Sequence, residues 1–246
     1  MTRVFTDKQQ VQEDAYSIPA HWLIPDRWSQ KGRLYFGYLD RCCSFLSETP
    51  KDARILDAGC GDGRFLKELL DAGYTNIYGT DYSARALSFA SLFVPEAKLV
   101  ESELQHLPYD DGFFDKIFLI ETLEHIPPEE IPAVLKEFAR ILAPHGELIV
   151  TVPSLLLGPP TPKHYQHFTP DSLTATLLPV FSISALYGQD RGGFHPLKVL
   201  YRLIDNKLWD IVALRTYYNK RVWPKVFNIC EAENGRRLIA RSKVSS

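Results

Sequence analysis

The chain is poor in cysteine, in long apolar runs and in net charge. Its four cysteines, Cys42, Cys43, Cys60 and Cys230, follow no framework spacing, and two are adjacent. That pattern excludes a disulfide scaffold and suits a reduced, intracellular protein. No window reaches ~18 uninterrupted apolar residues, so no spanning helix is expected. The opening stretch, MTRVFTDKQQVQEDAYS, lacks the apolar core of a secretory signal, and a cytoplasmic location is expected. Internal repeats and low-complexity tracts are absent. The formal net charge is −2, but it is unevenly spread: from Arg191 to the end there are 12 Lys+Arg against 4 Asp+Glu, a net +8, and the remainder carries −10. A basic tail on an acidic body is either a solvated face or a match for an anionic substrate, a membrane surface or a nucleic acid.

What remains is a chain of 246 residues, 45% hydrophobic, enough for one α/β domain with insertions. Residues 1–32 are polar with aromatic islands and hold Pro19 and Pro25, which predicts an irregular arm. Helical spacing runs from Arg33 to Ser47. Then strands and helices alternate: RILDA at 54–58, a helix from Gly63 to Ala72, NIYGTD ending at Asp81, and a helix capped by Ser83. AKLVE, DKIFLIE, a helix from Glu129 to Leu142, and ELIVTVP from Gly146 follow. Such alternation with short connections implies a parallel, doubly wound sheet. Thr169 and Pro170 start a further helix, VFSISALYG reads as a strand, and 190–224 holds two amphipathic stretches. Two strand-like runs around Asn234-Gly235 predict a C-terminal hairpin. The resulting division is 1–49, an arm and helix forming a lid; 50–189, the core; 190–224, a helical insertion whose aromatics either pack it onto the sheet, the favoured reading for most of them, or cap the substrate; and 225–246, the hairpin completing the sheet.

The informative segment is Ile55-Leu-Asp-Ala-Gly-Cys-Gly-Asp-Gly-Arg-Phe65, with Gly59, Gly61 and Gly63 at alternate positions directly after a buried strand. Glycines let the backbone turn sharply and a ligand approach closely. The spacing differs from the G-x-G-x-x-G of dinucleotide sites. Asp57 beside the turn suits a cationic or amine-bearing ligand. Asp81 ends the next strand, where a carboxylate can accept hydrogen bonds from both hydroxyls of a ribose; its plain structural alternative is a cap for the Ser83 helix.

DAGCGDG, GTDYS, ESELQHLPYDDGFFD, LIETLEHI and RILAPHGELIVTVPS, in that order, resemble the successive motifs of class I S-adenosylmethionine (SAM)-dependent methyltransferases. The similarity spans roughly residues 50–155 and is greatest to the type 11, ubiquinone-biosynthesis-like subgroup. It implies a Rossmann-like, seven-stranded α/β sheet of order 3-2-1-4-5-7-6 with the last strand antiparallel. It also implies SAM as cofactor and S-adenosylhomocysteine as product. By the resemblance, Gly59, Cys60, Gly61 and Gly63 with Asp57 line the donor's methionine and ribose, and Asp81 holds the ribose hydroxyls. Tyr82 packs on the adenine, Glu103 and Leu104 stand where the family has Asp-Ala, and the backbone at Glu121 meets the donor's amino group.

For the acceptor, His125 in Glu121-Thr-Leu-Glu-His125 is the candidate base, since an imidazole near neutral pKa is suited to taking a proton; Glu121 is its companion. The alternative is a structural histidine. Tyr16, His21, His164 and His167 are candidate acceptor-contacting residues. No metal is adopted; if a divalent ion were bound, Glu121, Glu124, His125, His164 and His167 would be its set, an arrangement that resembles metal-dependent RNA 3′-terminal 2′-O-methyltransferases. The expected activity is O-methylation of a small-molecule, lipid, quinone or sugar hydroxyl. A metal-assisted RNA 2′-O-methyltransferase and a non-catalytic SAM-binding partner protein are the alternatives. Nucleic acid is the less favoured partner, peripheral membrane contact is left open through Lys198, Arg202, Lys207, Arg215, Lys220 and Arg221, and the oligomeric state is not legible.

Overall fold

The computed structural model describes residues 6–24, 27–204, 206 and 209–245. The expected alternation forms: α2 (Gln30–Ser44), β1 (Ile55–Ala58), α3 (Arg64–Asp71), β2 (Ile77–Asp81), α4 (Ala84–Phe93), β3 (Lys98–Glu101), β4 (Phe114–Ile120), α5 (Ile131–Ile141), β5 (Leu142–Pro153), α6 (Pro170–Leu177), β6 (Phe181–Arg191) and β7 (Gly235–Val244). The strands make one sheet of order β3-β2-β1-β4-β5-β7-β6. β7 runs antiparallel to both neighbours, and the other pairings are parallel. The implied topology is therefore observed.

Strand side chains alternate between faces, and each face builds its own core. Leu56, Ile117, Leu119, Leu148, Val150 and Leu238 pack with α5 and α6. The intervening Ile55, Phe118, Ile149 and Ile239 pack with α2 and α3. Because both faces are covered, these strands read as continuous apolar runs rather than alternating ones. One buried charge crosses the sheet: Glu147 on β5 accepts from Lys116 on β4 at 2.8 Å and from Arg241 on β7 at 2.8 and 3.0 Å. Those contacts hold its carboxyl below the ordinary range despite burial.

Two expectations fail. The irregular arm is instead partly helical, α1 (Asp7–Ala15), because Thr6 and Gln9 form a reciprocal capping box; Thr6 accepts from the Gln9 amide while the Gln9 side chain accepts from the Thr6 amide. Pro19 lies past its end, and Pro25 lies outside the described residues. The C-terminal hairpin is also absent. Residues 223–226 form a short helix with Pro224 in its first turn, and a single-turn helix at Ala232–Asn234 leads into β7. β7 finds its partners in β5 and β6, already in place, so Asn234-Gly235 is the entry to one strand and not a turn between two.

The insertion holds α7 (Pro196–Ile204), α8 (Val212–Tyr217), a wide turn at Tyr218–Val222 and α9 (Trp223–Val226). Tyr201, Tyr218, Trp223 and Phe227 form a separate small core. The buried Arg33 guanidinium sits between the Tyr201 and Trp223 rings, 4.1 and 3.9 Å from their centroids. No described helix is long and apolar enough to cross a membrane.

Candidate active site

The carboxyl ends of β1, β2, β4 and β5 meet on one edge of the sheet, where open α/β sheets bind ligands. The glycine turn leaves β1 there. Gly61 has φ +52°, and a Cβ on it would stand 2.7 Å from the Tyr16 hydroxyl oxygen. Any side chain at 61 would thus push the arm off the loop. Gly63, with φ +80°, is the left-handed cap of α3, and a Cβ there would strike Ala90 of α4 at 2.9 Å. It lets α3 and α4 pack closely and lines neither cavity described below.

Asp81 ties β2 to this turn. Its Oδ2 accepts from the Gly61 amide and its Oδ1 from the Ser83 amide, both at 2.9 Å. The structural role read from the sequence, at the start of α4, is observed, and the glycine turn converges on the same side chain. A carboxylate offers about four acceptor positions, so these bonds leave room for a further donor. Burial raises Asp81 to about 6, while the backbone amides of Ser83, Gly61 and Tyr82 pull the other way. Asp57, buried with Asp81 nearby, is raised to about 8.

Two adjoining cavities open beside Asp81. The first is lined by Gly59, Asp81, Tyr82, Glu103, Leu104 and Glu121, among others. Six of the residues assigned to the donor therefore share one cavity. The second, about 390 Å³, takes Asp57, Cys60 and Gly61 together with Tyr35, Tyr38 and Arg237. Tyr16, Gln12, Gly59, Glu121 and His125 line both, so the two share a wall.

The arm roofs this edge. Tyr82 donates to the Gln9 carbonyl at 3.4 Å and Arg85 to that of Glu13 at 3.2 Å. Across the cleft Lys8 donates to the carbonyls of Pro162 and His164 at 3.0 and 2.8 Å. Further on, the His21 ring meets Asp62 at 2.9 Å, and Trp22 donates to the Asp62 carbonyl at 2.9 Å. Tyr16 and His21 thus face the second cavity, whereas Trp22 stacks on Phe93 at 4.3 Å and belongs to the core. Of the two readings of the insertion, the substrate cap is not observed: no described residue of 190–224 lines either cavity. Its aromatics are spent on its own core or lie exposed.

Glu121 sits at φ +49°, and its carboxylate is occupied: Oε1 accepts from Thr151 at 3.1 Å and Oε2 from Arg237 at 2.9 Å. Arg237 also covers the Tyr38 ring at 4.6 Å. Nothing in the sequence around Arg237 marked it, because its place depends on β7 inserting between β5 and β6. Gln12 and Thr122 were equally unmarked.

His125 points Nδ1 at the Lys163 carbonyl, 3.1 Å away. A carbonyl only accepts, so Nδ1 carries the proton and Nε2 keeps its lone pair. The Nε2 atom lies 4.0 Å from Glu124 Oε1. Burial, with His164 and Lys163 close by, lowers His125 to about 3. Burial and then Glu121 raise Glu124, whose Oε2 has no hydrogen-bond partner. His164 meets His167 at 2.8 Å, and His167 in turn meets the Gly158 carbonyl at 2.7 Å. Of the five residues named as a metal set, the fold brings Glu124, His125 and His164 within 4.8 Å of one another. Glu121 is taken by Arg237, and His167 stands behind His164.

The fold is Rossmann-like, with the sheet order of class I SAM-dependent methyltransferases. Residues 56–150 match a protein family described as a methyltransferase domain. A demethylmenaquinone methyltransferase of Bacillus licheniformis is 34% identical over 109 residues, covering 42% of this chain and 46% of that protein. A probable tRNA methyltransferase 9B of Bos taurus is 32% identical over 114 residues, 46% of this chain and 24% of that protein. The chain spans less than half the length of these curated relatives. Among solved structures, magnesium protoporphyrin IX methyltransferase from Synechocystis, with bound SAM, superposes with TM-score 0.60 at 17% identity, covering 100% of both chains.

Proposed function

We propose that the protein is a SAM-dependent methyltransferase acting on a hydroxyl of a small, ring-bearing or lipid-type acceptor held in the second cavity. One observation carries this: Asp81 and the glycine turn form a single hydrogen-bonded unit at the wall of two cavities that share five lining residues. Asp81 would accept the ribose hydroxyls through its remaining lone pairs, with Tyr82 and Leu104 against the adenine and the Glu121 backbone near the amino group. When bound, SAM supplies a methyl group already activated on a sulfonium, and alignment then provides much of the acceleration. Asp57 of the second cavity and Glu121 of the shared wall suit that positive charge.

The acceptor proton is assigned to the His125–Glu124 pair. His125 alone, lowered to about 3, is a weak base at neutral pH. A raised carboxyl 4.0 Å away lets the pair hold one proton between them. The second cavity is lined by Asp57, Asp62, Glu121 and Glu124 against Arg64, Lys163 and Arg237. Carboxyls interleave with cations here, unlike the unbroken basic groove that a polyanion needs, which argues for a small acceptor over RNA. A second reading, assistance by a divalent metal, is favoured by the unpartnered Glu124 oxygen beside two imidazoles.

The test is calorimetry with S-adenosylhomocysteine, followed by its release from SAM in the presence of phenols, quinols and lipid hydroxyls, with and without chelator. Folded protein that binds neither nucleoside ends the proposal. Activity lost in chelator and restored by metal selects the second reading.

A further inference from the structure

Half of the exposed large apolar side chains among the described residues, nine of eighteen, fall between Phe194 and Tyr217. Single exposed apolar residues need no explanation, but a concentration of this kind marks an interaction surface. Leu197 and Tyr201 turn one side of α7 into the small core with Tyr218, Trp223 and Phe227. Its other side shows Leu200 and Leu203, 47% and 60% exposed. Val212, Leu214 and Tyr217 of α8 and the preceding Trp209 are 49–63% exposed, and α8 has no buried residue.

The charges around this face share one sign. Arg202, Lys220, Arg221 and Lys225 are exposed, and the described acidic residue of the stretch, Asp210, pairs with Arg215 at 3.0 Å. Two copies meeting face to face would set these cations against their own counterparts. An aliphatic face with Trp and Tyr at its border and a cationic rim instead matches an anionic lipid surface.

The face also reaches the acceptor cavity. Leu155 and Leu156 are 53% and 54% exposed in the single-turn helix after β5. Leu156 lines a groove with Lys198 and Arg202 of α7, and the next residue, Leu157, lines the second cavity.

We propose that the apolar face of α7 and α8, continued by Leu155 and Leu156, seats the protein on an anionic membrane surface and turns the second cavity toward lipid-borne acceptors. The docking stands on the surface alone; the acceptor class rests on the methyltransferase reading.

The test is cosedimentation of the full chain with phosphatidylcholine vesicles, with and without phosphatidylglycerol. Binding to the anionic vesicles, weakened by salt, is expected. The double variant Leu203→Asp/Val212→Asp loses it by tenfold or more, on the order of the cost of exposing two charges to the interface. Arg202→Glu and Lys220→Glu each weaken it by about fivefold or more. None of these residues lines either cavity beside the glycine turn, so S-adenosylhomocysteine affinity stays unchanged in every variant; that separates failure of docking from failure of the donor reading. No binding to anionic vesicles, or equal binding by the double variant, overturns the proposal. A wild-type dimer that the double variant breaks, without vesicle binding, assigns the face to a second copy and overturns it too.

Discussion

Replacing Asp81 with Asn changes one atom type at the hinge of the donor site. The carboxylate accepts from the Gly61 and Ser83 amides at 2.9 Å each. An amide side chain has one acceptor oxygen and one NH2. Whichever backbone amide keeps the oxygen, the other faces a donor in a buried place and goes unpaired, at a cost of about 1–3 kcal/mol in stability. The ribose suffers separately. Two hydroxyls that met a carboxylate would meet a single neutral acceptor, so one hydrogen bond is lost and one drops from the charged to the neutral class. That removes about 2–4 kcal/mol of binding, or roughly 30- to 1,000-fold in Kd. Calorimetry with S-adenosylhomocysteine reads the affinity, and thermal melting reads the stability. A pH series sharpens the test. Asp81 titrates near 6 in the free protein, and ribose hydroxyls favour its ionised form. Wild-type affinity therefore falls as pH drops below about 6, where the carboxyl must first lose its proton, and Asp81→Asn loses this dependence. A variant that melts like the wild type and binds within about threefold of it, a difference of less than ~1 kcal/mol, refutes Asp81 as the ribose anchor.

Gly63→Ala combines a left-handed backbone with a clash on Ala90, so it lowers stability by about 1–3 kcal/mol while the folded fraction keeps its donor affinity; denaturant titration and calorimetry check both. Arg237→Met leaves the Glu121 carboxylate without its cation; the pair is about a fifth exposed, so a loss somewhat below the fully buried case, about 2–4 kcal/mol, is expected in chemical denaturation. Asp57 is raised in the folded state from the usual 3.8 to about 8. The folded protein therefore holds a proton that the unfolded chain has released, and this contribution to stability disappears as pH rises from about 4 to 8. The donor-free melting temperature should fall across that window, and Asp57→Asn should flatten the fall. His125→Asn should lower kcat by about 10²–10⁴-fold with donor affinity nearly unchanged; turnover equal to wild type removes His125 from the proton path.

Much of the fold was legible because its signals are local. The Ser83 and Thr169 caps, Pro170 at the start of α6 and the doubly buried strands each declare themselves within a few residues. That the glycine turn and Asp81 meet was legible for the same reason, since β1 and β2 are adjacent and parallel, so their ends meet wherever the strands pair. The Thr6–Gln9 capping box was equally local and went unread beside the polar, proline-bearing stretch that follows it. The false hairpin at Asn234-Gly235 shows the opposite limit. Its dipeptide is a turn signal only when the strands on either side need each other, and β6 had already supplied the partner.

The sequence by itself settled the layer architecture, the glycine turn and the acidic strand end, because periodicity, capping and backbone permissiveness act over short range. Only the tertiary structure decided which side chains share a space. Arg237 reaches Glu121 across 116 residues, and Lys8 meets the loop around His164 across 156. Whether a titratable group faces water, a partner or another carboxyl depends on those distant meetings. That is why Glu121 emerges as an ion-paired strut, His125 as a buried imidazole with one free lone pair, and the insertion as an exposed apolar face rather than a roof over the acceptor.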